Sequence, residues 1–214
     1  MLDSKGFDLW ADGYDKSVNM SEESNEYPFA GYKDVLNYIY KQVKGKNSAD
    51  ILDIGFGTGI LTSKLYNEGY NITGIDFSSN MIDIAKQKMP RAILINWDFK
   101  EGIPDEIKNR QFDYIISTYA IHHITDKEKI NFINLLSPML TETGKIILGD
   151  VSFENKSELE KCKRIYNKYW DDEEFYFIAE EILRVLQNQY LCKYTKLSYC
   201  AGVLTVMRKA NEFY

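Results

Sequence analysis

The stretch Ile51-Leu52-Asp53-Ile54-Gly55-Phe56-Gly57-Thr58-Gly59 decides the fold. Its first four residues, apolar except for Asp53, read as a buried strand. The glycines then turn the chain, and Leu61 and Leu65 begin a helical pattern. In a strand–loop–helix unit of this kind the ligand site lies beyond the carboxyl end of the strand. Gly55 and Gly57 allow a tight turn and close approach of a ligand to the main chain. Two details narrow the ligand. The spacing is G-x-G-x-G, and Ile60 stands where a dinucleotide fingerprint needs its third glycine; the Gly-Lys-Ser/Thr of a phosphate-binding P-loop is also missing. Asp53 ends the strand with a carboxylate, which repels a pyrophosphate and suits a cationic ligand.

Outward from this loop, short apolar runs alternate with helical patterns. Tyr70–Ile75, Ala92–Trp97, Phe112–Thr118 and Lys145–Leu148 read as further strands. Ser78 is an N-cap for a helix carrying Met81, Ile82, Ile84 and Ala85. Thr125 and Glu128 form a capping box ahead of Ile130, Ile133, Leu136 and Leu140. Such alternation implies parallel strands with crossover helices. Before the loop, Phe7, Trp10, Ala11 and Tyr14 make one helical stripe, and Tyr32, Val35, Leu36, Ile39 and Val43 another, which Gly45 stops. After residue 150 the rhythm changes. Two helical patterns between 156 and 189 have no strand between them. The second, from Phe175 to Leu186, follows the acidic run Asp171–Glu174, read as a solvated helix start. Cys192–Tyr199 and Val203–Met207 suggest an antiparallel hairpin. The expectation is an α/β, Rossmann-like, mostly parallel seven-stranded sheet with an antiparallel C-terminal hairpin and helices on both faces. A single domain spans 1–214: a helical lid over 1–45, a core over 46–150, a helical insertion over 151–190 and the hairpin over 191–209.

The 214 residues suit one core. With 26 basic and 32 acidic residues the net charge is -6, which disfavours nucleic acid as a partner. There is no membrane-length apolar run, and the N-terminus lacks a signal-peptide pattern. Cys162, Cys192 and Cys200 form no C-x-x-C pair and fit a reducing cytoplasm. The 2 histidines are adjacent, His122 and His123, which excludes a three-His metal site. No metal is expected, because neighbours on a strand point to opposite faces.

At this point the sequence resembles the class I S-adenosylmethionine (SAM)-dependent methyltransferases. Asp53–Gly59 matches the superfamily's first motif, with Phe56 bulkier than the small residue often found there. Gly74-Ile75-Asp76-Phe77-Ser78 is similar to the second motif. Trp97-Asp98-Phe99 is similar to the third, and Phe112–Ser117 leading to Ala120-Ile121-His122-His123-Ile124 to the fourth strand and its active-site loop. The plan is similar to short bacterial methyltransferases of the YrrT type that act on small molecules.

The resemblance implies SAM as cofactor and S-adenosyl-L-homocysteine (SAH) as product. It implies that Gly55, Phe56 and Gly57 lie beneath the methionyl part, Asp76 accepts the ribose hydroxyls, and Asp98 accepts the adenine amino group. Asp53 contacts the ammonium group through water or caps loop amides. Phe77, Met81 and Phe99 flank adenine or belong to the core. Thr118 lies near the methionyl end or merely closes its strand. His122 and His123 are the candidate catalytic bases, or they cap and pack under the following helix. Trp10, Tyr14, Tyr27 and Tyr32 are candidates for an aromatic lid over the acceptor. The expected function is cytoplasmic methyl transfer to a small molecule. Protein or nucleic-acid methylation and SAM binding without catalysis are the alternatives. A proline-containing motif after the fourth strand, expected for amino methylation of bases, is replaced by Ser117-Thr118-Tyr119-Ala120.

Overall fold

The computed structural model describes residues 26–46 and 48–210. Trp10, Tyr14 and the first helical stripe lie outside the described residues. Helix α1 is Tyr32–Val43, strand β1 Asp50–Ile54, α2 Ile60–Asn67, β2 Asn71–Asp76, α3 Ser79–Lys88 and β3 Ile93–Asn96. They are followed by β4 Phe112–Thr118, α4 Asp126–Leu136 and β5 Leu140–Phe153. Then come α5 Lys156–Ile165, β6 Phe177–Ile178, α6 Ala179–Leu186, β7 Tyr190–Lys196 and β8 Ala201–Arg208.

The strand order is β3-β2-β1-β4-β5-β8-β7, with β6 attached to β5 off this path. Pairs among β1 to β5 are parallel, and β8 joins β5 and β7 antiparallel. This is the expected Rossmann-like sheet with its closing hairpin. Alternation along each strand divides the apolar side chains between two layers. Ile51, Ile72, Ile116, Ile147 and Val203 pack with α1, α2 and α3. Leu52, Ile54, Ile115, Ile146 and Leu204 pack with α4 and α6. Both caps read from sequence form: the Met81 amide donates to Ser78 Oγ at 3.2 Å, and Thr125 and Glu128 close the capping box. No helix among the described residues is long and apolar enough to cross a membrane.

Three boundaries differ from the sequence reading. Strand β5 runs from Leu140 to Phe153, far past Lys145–Leu148. Its end continues because Asp150 and Val151 pair with Gly202 and Ala201, while Ser152 and Phe153 pair with β6. Strand β6 itself breaks the expected all-helical insertion. Only long-range pairing to β5 makes Phe177 and Ile178 extended, and α6 therefore starts at Ala179 rather than at Phe175. The acidic run accordingly heads no helix. Finally, the hairpin strands occupy 190–196 and 201–208, shifted from the expected limits.

The strand order reverses between β1 and β4. Those two strands diverge into α2 and the loop before α4, which opens a crevice beyond their carboxyl ends.

Candidate functional site

A cleft occupies that crevice. Its floor is the loop after β1. Gly55 sits at φ 68°, in the left-handed region, and a Cβ there would lie 2.5 Å from the Cβ of Ala120. The loops after β1 and β4 thus touch through a position that only glycine can fill. Gly55, Phe56, Gly57, Thr58 and Thr62 line one side, with Asp76, Phe77, Met81 and Phe99 on another. Thr118, Tyr119, Ala120 and His123 come from the end of β4, and Tyr32 and Leu36 from α1.

Phe56 is buried because β2 makes room for it. A Cβ on Gly74 would lie 2.5 Å from Phe56 Cδ1 and 2.9 Å from Cε1. The bulky loop residue is thereby matched by a missing side chain on the neighbouring strand.

Two carboxylates support this floor. Asp76 receives the Gly57 amide on Oδ2 at 2.8 Å and the Ser78 amide on Oδ1 at 2.9 Å. Asp53 is 1% exposed and lies behind the lining. Its Oδ2 accepts from the Thr62 hydroxyl, while Oδ1 has no hydrogen-bond partner among the described residues. It caps no loop amide. Burial, reinforced by the charge of Asp76 and opposed by the Thr62 hydroxyl, pushes the Asp53 carboxyl up to about 7. An orphaned, buried carboxylate oxygen beneath a glycine-lined cleft fits a cationic group. A surrounding apolar wall of Phe77, Met81 and Phe99 fits an adenine ring. The residues present therefore suit SAM.

Asp98 is placed differently. It is half-buried beside the cleft without lining it, and its Oδ1 accepts from the Lys100 amide at 2.9 Å, capping a short 3-10 turn. Tyr27 also lies away from the lining. It is buried among aromatic rings, stacked on Trp170 at 5.3 Å and hydrogen-bonded to the Tyr176 hydroxyl.

The adjacent histidines are not on a strand. They end a 3-10 turn, Ile121–His123, and their ring centroids are 4.2 Å apart. Their side chains therefore share a neighbourhood, against the opposite faces assumed from the sequence. His123 lines the cleft. Burial, with His122 adding to it, pushes its pKa down to about 3, so the ring is neutral near pH 7. His122 is buried behind it. Its backbone N–H donates to Asp150 Oδ2 at 3.2 Å, its ring Nδ1 lies 2.7 Å from Asp150 Oδ1, and its Nε2 lies 3.7 Å from Glu174 Oε1. Burial opposes a charge on this ring, but Asp150 and Glu174 outweigh it and raise its pKa.

Several residues at or behind the site escaped the sequence reading as site residues, among them Thr62, which lines the cleft and donates to Asp53. Tyr119 adopts φ 51°, a strained conformation for a residue with a side chain, and packs 5.0 Å from the Tyr32 ring centroid. Leu36 appeared only as a helix-stripe residue. Asp150 lies two residues past the expected end of β5. Glu174 belongs to the acidic run, whose composition signals a solvated surface.

The comparisons with known proteins agree with this geometry. Residues 51–144 match a family described as a methyltransferase domain. An uncharacterized methyltransferase of Alkaliphilus oremlandii is 30% identical over 207 residues, covering 97% of this chain and 92% of that protein. Among solved structures, the DhpI–SAH complex has a TM-score of 0.72 at 16% identity, covering 97% of this chain and 96% of that one. Magnesium protoporphyrin IX methyltransferase (ChlM) from Synechocystis PCC 6803 with bound SAH has a TM-score of 0.68 at 17% identity, covering 85% of each chain. The chain belongs to the class I SAM-dependent methyltransferases.

Proposed function

We propose that this chain transfers a methyl group from SAM to a small-molecule acceptor in the cytoplasm. The observation that carries the reading is the buried Asp53 oxygen, unpartnered among the described residues, under the glycine-floored cleft at the β1/β4 switch point. When bound, SAM supplies a methyl group already activated by a sulfonium centre. The protein's task is then alignment, and positioning of this kind can supply about 7–11 kcal/mol.

In this reading Gly55, Phe56 and Gly57 support the methionyl part, and Asp53 balances the ammonium charge. Asp76 accepts the ribose hydroxyls. Phe77, Met81 and Phe99 hold the adenine, and Asp98 stands at its amino edge. Thr118 closes the methionyl end. Tyr32, Tyr119 and His123 border the acceptor side, where the uncharged His123 imidazole contacts the acceptor. His122 is positioned by Asp150 and acts through its neighbour. Residues 1–45 serve as the lid, with Trp10 and Tyr14 as its aromatic members. Tyr32 and Leu36 of α1 already lie on the cleft wall and support this assignment. The core over 46–150, the insertion over 151–190 and the hairpin over 191–209 form one unit with it.

Two features support a small acceptor. The net charge of -6 disfavours polyanions. ChlM, which shares the fold, is named for its methylation of a porphyrin. The free thiols of Cys162, Cys192 and Cys200 support a reducing compartment.

Isothermal titration with SAM, SAH and NADH tests the cofactor, with binding of the first two only as the expected result. A folded chain that binds no SAM would overturn the reading. Incubation with SAM and a metabolite library, followed by measurement of released SAH, tests the acceptor class. Turnover with a protein or RNA and with no metabolite would sink the small-molecule assignment.

A further inference from the structure

We propose that His122, His123 and Glu174 hold a divalent transition-metal ion at the acceptor side of the cleft. The use of such an ion rests on the methyl-transfer reading above; its binding does not.

One ring nitrogen from each histidine and one carboxylate oxygen of Glu174 lie within 4.8 Å of one another. His122 Nε2 and Glu174 Oε1 are 3.7 Å apart, too far for a hydrogen bond. Two ligands at ~2.1 Å from one tetrahedral ion are about 3.4 Å apart, so the spacing suits a shared cation.

The surroundings are those of a built site. His122 Nδ1 donates to the fully buried Asp150 carboxylate at 2.7 Å, which directs the Nε2 lone pair toward Glu174. A carboxylate behind a ligating imidazole is the usual partner that fixes its tautomer and orientation. Glu174 is brought in from far along the chain by a clamped backbone. The Phe175 amide donates to the His122 carbonyl at 2.7 Å, and the buried Lys129 ammonium donates to the Phe175 carbonyl at 2.5 Å.

Two imidazoles and one carboxylate form a borderline donor set that leaves coordination positions open. It favours Zn²⁺, Mn²⁺ or Fe²⁺ over Mg²⁺ and Ca²⁺, which prefer oxygen. Because His123 lines the cleft, an open position there meets the acceptor. A hydroxyl or thiol coordinated to the ion becomes more acidic and releases its proton to solvent before attack. The rival occupant is a proton on His122 Nε2, shared electrostatically with Glu174.

Titration of the full chain with Zn²⁺ and Co²⁺ in metal-free buffer separates the two. The expected result is one ion per chain, with Co²⁺ displaced by Zn²⁺. His123→Ala and Glu174→Gln should each weaken binding at least about tenfold, and Asp150→Asn by about 10–100-fold. Circular dichroism must show the wild-type fold in each variant. A folded wild-type chain that takes up no ion would overturn the assignment. Equal affinity in His123→Ala and Glu174→Gln, or thiolate bands in the Co²⁺ spectrum, would place the ion elsewhere and do the same. SAM binding in metal-free buffer reports on the methyltransferase reading separately.

Discussion

His122 and Asp150 are joined twice. The His122 amide and ring Nδ1 reach the two oxygens of one fully buried carboxylate, at 3.2 and 2.7 Å. Asp150 Oδ1 also accepts the Val151 amide at 2.7 Å. The turn after β4 is thus tied to the far end of β5. Removing one partner leaves a buried polar group unpaired, at a cost of about 3–5 kcal/mol. Asp150→Ala should lower the urea midpoint accordingly, whereas Asp150→Asn, which keeps the shape and a hydrogen-bond acceptor, should lose clearly less. Equal losses would show that the charge, and not the geometry, holds this turn.

Asp53 predicts a pH dependence with a definite sign. Its carboxyl is pushed up to about 7 by burial, above its ordinary value of 3.8. Between these values the folded state binds more protons than the unfolded state, so stability falls as pH rises. The loss begins near pH 4 and is complete above about pH 7, with a size of roughly 4 kcal/mol. Asp53→Asn should remove it. Denaturation midpoints of the variant and wild type should converge near pH 4, with the variant more stable at pH 8. The same variant should bind SAM more weakly at pH 8, as it lacks the charge assigned to face the ammonium group. Parallel stability profiles would refute the shifted carboxyl.

Phe56 and Gly74 form a matched pair. Gly74→Ala places a methyl group where the Phe56 ring lies, and overpacking of this kind costs about 1–3 kcal/mol. The displaced ring has the cleft as its way out, so SAM affinity should fall as well. Phe56→Ala relieves the clash. In a double-mutant cycle, Gly74→Ala on the Phe56→Ala background should be nearly neutral. Additive losses would mean that the ring is not what Gly74 accommodates.

Asp76 serves the loop and, in the proposed reading, the ribose. Its hydrogen bonds to two hydroxyls, each about 1.5–3 kcal/mol with a charged acceptor, would vanish in Asp76→Ala. Isothermal titration should show SAM affinity lower by at least about tenfold. The loss of the Gly57 and Ser78 amide contacts should cost stability too, and circular dichroism must confirm folding. Undiminished affinity in a folded variant would remove Asp76 from the cofactor site.

The legibility of the chain follows the range of its interactions. Ser78, Thr125 and Glu128 act within one helical turn, so their caps are visible in sequence and present in the structure. Strands β1, β2 and β4 are buried on both faces, and their apolar runs mark them. Strand β6 has only Phe177 and Ile178, whose extended state comes from pairing with Ser152 and Phe153. No local pattern encodes that. Glu174 shows the same limit at the site. An acid in the run Asp171–Glu174 reads as solvated surface, yet the Phe175 backbone bonds turn this one toward His122.

By itself the sequence determined the order of strands β1 to β5, the glycine loop, and hence the place of the cleft, because hydrophobic period and turn chemistry are local. It also determined the candidate carboxylates at the ends of β1 and β2. Tertiary structure alone decided which residues meet. It set Asp53 behind the cleft and Asp98 beside it, and it buried Tyr27 in an aromatic cluster. It gave His123 the cleft wall while holding His122 between Asp150 and Glu174. Those distinctions depend on burial and on contacts between residues distant in the chain, and packing of the finished fold creates both.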